Sequence, residues 1–239
     1  MTATTAGGGA EWGVGSVIGT AGSTLFGHFV PFVGTALVAS LPGLVINLLT
    51  DEPWARSLID LIIGQIVTVT LIYGTVQALR GRQVTIGESL SEGLKRLGAA
   101  IVVAIVVALG VAAGMVLLIV PGLILLTMWA VAIPVATIER AGVGASLSRS
   151  SELTRGRRWR VLGALLVAGL ISVAVGIIIG GIGGAVLMTG IGPDILKIAV
   201  WIVTAMTQAF SACVAATLYY FLRREKEGVD IDQIAAVFD

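Results

Sequence analysis

Few side chains in this 239-residue chain could carry covalent chemistry. His28 is the only histidine and Cys213 the only cysteine. A serine/histidine hydrolase would need a Gly-x-Ser-Gly type of nucleophile turn to go with His28, and no such pattern accompanies it, so His28 reads as an interfacial residue. The run Gly190, Ile191, Gly192, Pro193, Asp194 approaches a Gly-x-Gly-Asp aspartyl protease pattern only when the proline is ignored. It also lacks the second carboxylate that such acid/base work requires. One histidine and one cysteine cannot build a Cys/His metal site, and the one carboxylate within the apolar runs, Asp60, lies near the outer end of its run, at headgroup level, outside the bundle interior. The expectation is a non-enzymatic protein with no catalytic residue, metal or cofactor. A lone Cys213 also excludes an intramolecular disulfide.

What remains is polar and small residues at helical spacing. Thr70, Tyr73 and Gln77 share one face of an apolar run, and Thr204, Gln208 and Ser211 share one face of another. Polar groups in lipid seek partners, so these stripes either hydrogen-bond across helices or line a path for a solute. Gly169, Gly176, Gly180 and Gly184 lie on one face of a third run and form overlapping GxxxG patterns, with Gly110 and Gly114 as a similar pair elsewhere. Such a groove lets another helix approach closely, either inside the bundle or from a second copy of the chain.

Four arginines, Arg155, Arg157, Arg158 and Arg160, cluster just ahead of an apolar run. They either set topology or attract anionic headgroups, at roughly 1 kcal/mol each near a membrane surface. Glu139 and Arg149 are placed to pair, fixing a surface helix against the preceding span; a charge swap of the two is the direct test.

These residues have to be positioned by helices in a membrane. The chain is 56% hydrophobic and 12% charged with mean hydropathy +1.01, against roughly 25% charged for a soluble domain. Six runs of about the length a helix needs to cross the hydrocarbon can be cut at 31–49, 58–79, 99–120, 121–138, 161–188 and 198–222. The third and fourth abut at Pro121 and Gly122, which read as a hairpin tip. All basic residues except Arg56 and Lys197 fall in the even-numbered connections and the C-terminal segment, which puts both termini in the cytoplasm. Segment 1–13 is expected to be loosely ordered and 223–239 to be a cytoplasmic tail. No linker divides the chain, so 1–239 is one membrane domain. A net charge of +1 offers no field for nucleic acid.

Ahead of the third and fifth spans, amphipathic segments look like helices lying on the membrane surface. In the first, Ile86, Leu90, Leu94 and Leu97 form the apolar stripe, and Thr85 with Glu88 makes a capping-box start. The second covers 143–154. A similar stretch at 14–30 suggests three copies of one unit, a surface helix followed by an outward and a returning span, beginning near Val14, Val84 and Val143. Ser89-Leu90 and Ser146-Leu147 recur at matching places. The fold class is thus all-α: a polytopic bundle of about six spans with amphipathic surface helices and a three-hairpin pseudo-repeat. Trp12, Trp54 and Trp159 lie at interfacial positions, whereas Trp129 lies midway along the fourth span.

Pro121-Gly122-Leu123, Trp129, Pro134, Glu139, Ala145, Leu147, Arg149-Ser150, Leu153 and Gly156 together form a pattern. It resembles the membrane domain of glycerophosphoryl diester phosphodiesterases and related six-span bacterial envelope proteins. That resemblance implies a bacterial inner-membrane protein tied to lipid or envelope homeostasis, while the arginine cluster points to anionic membrane lipids or a protein partner and the glycine face to a further copy of the chain or another membrane protein. It implies no catalytic residues here, because hydrolysis in two-domain members belongs to a separate soluble barrel.

Overall fold

The computed structural model describes residues 12–49, 52–188 and 193–228. The segments 1–11 and 229–239, and most of the Gly190 to Asp194 motif, lie outside the described residues. Ten helices follow one another: α1 (Val14–Gly27), α2 (Phe29–Leu49), α3 (Pro53–Leu79), α4 (Ile86–Leu94), α5 (Leu97–Leu117), α6 (Ile119–Met128), α7 (Ala132–Ile138), α8 (Val143–Thr154), α9 (Arg158–Met188) and α10 (Pro193–Glu227). Taking α6 and α7 as one, six are long and apolar enough to cross a membrane. The chain is an all-α multi-pass membrane bundle.

Several boundaries differ from the sequence reading, each for a local reason. The turn between α5 and α6 is made by Leu118, which is extended (φ −162°, ψ 143°), and Pro121 falls in the first turn of α6. A helix start has no intrahelical acceptor for its first amides, so a proline there loses nothing. The fourth span is broken at residues 129–131. Pro134 has no N–H to offer the Ala130 carbonyl, and its ring would crowd that oxygen, so the helix stops and restarts. The segment expected to be a tail from Arg223 onward is instead the last turn of α10 up to Glu227, where Arg224 and Lys226 oppose the negative end of the helix dipole.

A broken helix inside lipid must satisfy its freed backbone groups. Here α8 does so. Ser150 Oγ donates to the Met128 carbonyl at 2.8 Å and accepts from the Val131 N–H at 3.3 Å, while Thr154 Oγ1 adds a second bond to Met128 O at 3.3 Å.

The three-unit organisation is explicit in the helix order: α1-α2-α3, α4-α5-α6/α7 and α8-α9-α10. The short helix of each unit starts on a β-branched residue, Val14, Ile86 or Val143. Each docks on the hairpin of the unit before it: α4 on α3 and α2, and α8 on α7, α6 and α5. Helix α1 completes the ring by docking on α10 and α9. The buried positions repeat every fourth residue: Val17, Ala21 and Leu25 in α1; Ser89 and Gly93 in α4; Ser146, Ser150 and Thr154 in α8. The closest contact of α4 is made by this small face; of the expected apolar stripe Ile86 reaches Gly34, Leu90 and Leu97 pack against the core, and Leu94 is exposed. In lipid an apolar side chain gains nothing by choosing protein over acyl chains, whereas small residues let backbones close. A Cβ on Gly93 would lie 2.7 Å from Thr70 Cα.

Helices α3 and α10 form the centre, in contact with one another and with α2 and α7. The α5/α6 hairpin closes on itself at Gly110, which receives the Trp129 ring, and at Gly114, which lies against the Gly122 backbone. Helix α9 is the least buried span.

Candidate functional site

Helices α9 and α10 run antiparallel and meet at the end remote from the arginines, where Leu196 Cδ1 lies 2.9 Å from the position of a Cβ on Gly183. Below that closure they part. The groove between them has a volume of ≈ 720 Å³ and is floored by Thr68 of α3. Gly176 and Gly180 form part of its α9 wall, and Thr204, Thr207, Gln208 and Ser211 part of its α10 wall. A Cβ on Gly169, Gly176 or Gly180 would meet nothing within 4 Å. The GxxxG face, expected to meet a helix of the bundle or of a second copy, is left open by the other described helices of this chain, and it borders the groove. Gly184 lies in α9, but its contacts are outside what is described.

The groove is mostly apolar. Thr68, Ser172 and Thr207 each turn their hydroxyl proton back to a carbonyl of their own helix: Gly64 at 2.8 Å, Ala168 at 3.0 Å and Val203 at 2.9 Å. These three have only oxygen lone pairs left to offer a ligand.

A second cavity of ≈ 300 Å³ adjoins the groove among α2, α3 and α10, and shares Val200, Thr204 and Gln208 with it. Asp60, Asn47 and Lys197 line it toward the face opposite the arginines. Asn47 Nδ2 donates to Asp60 Oδ1 at 3.0 Å and to Gly43 O at 3.0 Å, and Trp201 Nε1 donates to Ser40 Oγ at 2.9 Å across the α2/α10 contact. Gln208 stands between the two spaces with its Oε1 enclosed and without a partner among the described residues.

The two polar stripes do not form one path. Thr204, Gln208 and Ser211 line the groove. Thr70, Tyr73 and Gln77 turn toward α4 instead. Thr70 lies against Gly93, and Tyr73 lies under the Arg96 guanidinium, 4.4 Å from ring centroid to Cζ. Gln77 Nε2 donates to Tyr73 Oη at 2.8 Å. Two residues along a helix is a rotation of about 200°, so Thr68 faces the groove while Thr70 faces away from it. The stripe that sequence reasoning missed is Asp60, Gly64 and Thr68 on α3, at intervals of four, matched on α10 by Lys197, Trp201, Thr204 and Gln208. Its signal was there, but the glycine and the terminal charge hid it.

The arginine-rich face is a lattice of ion pairs. Arg149 Nε lies 3.5 Å from Glu139 Oε2, and Arg149 also pairs with Glu227 and, at 3.8 Å, with Glu152. Tyr219 donates to Glu139 Oε1 at 2.8 Å, and Arg223 donates to the Tyr219 oxygen at 2.9 Å and to Glu227 at 2.7 Å. Glu139 and Arg149 therefore meet inside a six-residue network that ties α7, α8 and α10 together.

The four clustered arginines are divided among different tasks. Arg157 donates to Glu225 at 2.7 Å and Arg160 to the Trp12 carbonyl at 3.4 Å. Arg158 is half-buried with its Nε enclosed, and Arg155 is exposed. Trp12, placed by the sequence at an interface, is 4% exposed; its indole donates to Glu225 at 2.8 Å and its ring stacks on Phe221. Trp159, by contrast, is 85% exposed. The Trp54 side chain lies outside what is described.

Beside α4, Glu92 binds Lys95 at 2.6 Å and Arg96 at 3.2 Å. The Lys95 hydrogen bond holds the Glu92 carboxyl below its ordinary value. Burial lowers the Arg96 pKa, and nearby Arg140 adds to the effect, yet an arginine remains charged at neutral pH. His28 joins α1 to α2, with Nδ1 3.3 Å from Thr24 O and its ring beside Phe32. Among the described residues no three His, Cys, Asp or Glu side chains gather as metal ligands.

No family model, curated protein or solved structure matches this chain.

Proposed function

We propose that this protein binds a lipid-like amphipathic molecule within the membrane, in the groove between α9 and α10, and acts without catalysis. The observation that carries this reading is the pair Gly176 and Gly180, bare small residues that border ≈ 720 Å³ of open, largely apolar space instead of packing on a neighbouring helix. That volume falls within the roughly 300–1,000 Å³ of small-molecule sites. The lining lends itself to a hydrocarbon chain, and Gln208 supplies one polar contact. Because all basic residues except Arg56 and Lys197 gather on one face, that face is read as cytoplasmic. The resemblance drawn from residues 121–159 favours a bacterial inner membrane and a role in envelope lipid homeostasis.

The test is native mass spectrometry of the protein extracted in mild detergent. Gly176→Leu/Gly180→Leu, which fills the groove, should strip the retained lipid, whereas the wild type keeps it. Equal retention by both would defeat the reading.

A second reading, contact with anionic lipid at the arginine face, is favoured by the exposure of Trp159 next to Arg158 and by exposed Arg155. Arg155→Gln/Arg158→Gln should then lower binding to vesicles containing an anionic lipid and leave groove occupancy unchanged. Vesicle binding equal to that of the wild type would count against this reading.

A further inference from the structure

We infer that the cavity bounded by Asp60, Asn47 and Lys197 receives the zwitterionic, amine-bearing headgroup of a phospholipid whose acyl chain lies in the α9/α10 groove; this rests on the groove reading above. Depth is the first support. Asp60 lies seven residues past the start of α3 and Lys197 four past the start of α10, which is about 10 Å and 6 Å along the helix axes. Both sit near one end of their spans, where headgroups and glycerol lie, on the face opposite the arginines.

Continuity is the second support. Val200, Thr204 and Gln208 are common to cavity and groove, so a molecule that fills the groove has its polar end within reach of Asp60 and Lys197. The groove lining runs from Leu196 to Ala215 along α10, about 28 Å, long enough for an extended acyl chain.

Charge is the third. The Asp60 carboxylate accepts from Asn47 Nδ2 at 3.0 Å. A lipid with net negative charge could pair its phosphate with Lys197 but would bring no cation to the Asp60 carboxylate, whereas a headgroup ammonium pairs with it. Lys197 Nζ lies 3.2 Å from Asp194, itself exposed, and can shift toward a phosphate. One carboxylate and one ammonium around a single small cavity match a headgroup that carries one charge of each sign.

The experiment equilibrates the whole protein with vesicles of equimolar phosphatidylethanolamine and phosphatidylglycerol, then quantifies the lipid that stays bound. The wild type should enrich the ethanolamine lipid about fivefold, which corresponds to about 1 kcal/mol. Asp60→Asn should bring the ratio near one without lowering total lipid, and Asp60→Glu should keep the enrichment, which controls for misfolding. A wild-type ratio near one, with lipid still lost from Gly176→Leu/Gly180→Leu, would overturn the headgroup assignment and leave the groove standing. Lipid retained in that double variant would bring down both.

Discussion

The Trp12 indole N–H donates to the Glu225 carboxylate at 2.8 Å across 213 positions of sequence, and the same carboxylate accepts from Arg157. One residue before α1, one before α9 and one in the last turn of α10 are thereby joined where the ring of units closes. Trp12→Phe keeps an aromatic ring against Phe221 and removes the donor. It should lower stability by about 1 kcal/mol, read as a lower apparent Tm in detergent, since Glu225 still keeps Arg157. An unchanged Tm would show that the bond adds nothing to closure.

Ser150 holds both sides of the break in the fourth span. Ser150→Ala leaves the Val131 N–H unpartnered and the Met128 carbonyl with only its longer bond, at an expected cost of about 1–3 kcal/mol. Thr154→Val, which removes that longer bond and the hydroxyl's bonds back to the Ser150 and Ser151 carbonyls of its own helix, should cost less. Thermal unfolding of the two variants side by side decides it, and the reverse order would mean that α8 is not what satisfies the break.

Glycines in this protein divide into those that admit a neighbour and those that leave space. Gly93→Ala should push α4 off α3 and cost about 1–3 kcal/mol, because the new methyl meets the Thr70 backbone. Gly180→Ala should leave stability within about 0.5 kcal/mol of the wild type. A pair of melting curves in which both variants lose equally would contradict the open groove.

Glu92 gives a pH signature. Its folded pKa is depressed, chiefly by Lys95, so its contribution is present above the ordinary value of 4.5 and is lost as pH falls through the depressed one. Wild type should exceed Glu92→Gln in apparent Tm at pH 7, and the gap should narrow as pH falls below 4.5. A gap that does not narrow on acidification would assign the stabilisation to packing.

A charge swap at Glu139 and Arg149 should fail to rescue either single change, even though the two side chains touch. An arginine at 139 would face Arg223, and a glutamate at 149 would face Glu227 and Glu152. Combining Glu139→Gln with Arg149→Gln tests the pair better: the double variant should lose less than the sum of the singles. Strict additivity would mean that the two act independently.

That network shows where reading the sequence stops. Glu139 and Arg149 were recognisable as partners because they flank a predicted turn. Tyr219, Arg223 and Glu227 were not, because a chain pattern does not say which turn of a distant helix arrives at the same height. The spans and the three-unit order were legible, since hydropathy and the placement of arginines act through solvent alone. The tight face of α4 and the open face of α9 were not legible for one shared reason: in lipid, apolar stripes do not by themselves mark what is buried, and small residues mark a contact only when a neighbour comes. At Gly93 one does, and at Gly176 and Gly180 none of this chain's helices does. The groove depended on Thr68 rather than Thr70, a choice set by the rotation of α3 against α10.

Closure of the ring by α1 on α10 reverses the order of birth. Chains emerge from the ribosome N-terminal end first. Val17, Ala21 and Leu25 are therefore made early, yet the surface that covers them is made last. Until the final hairpin is threaded, α1 carries an unclaimed face, and the two earlier units can dock on one another without it. A nascent chain halted after α9 should accordingly leave α1 open to protease attack, with its protection arriving in one step on the insertion of α10.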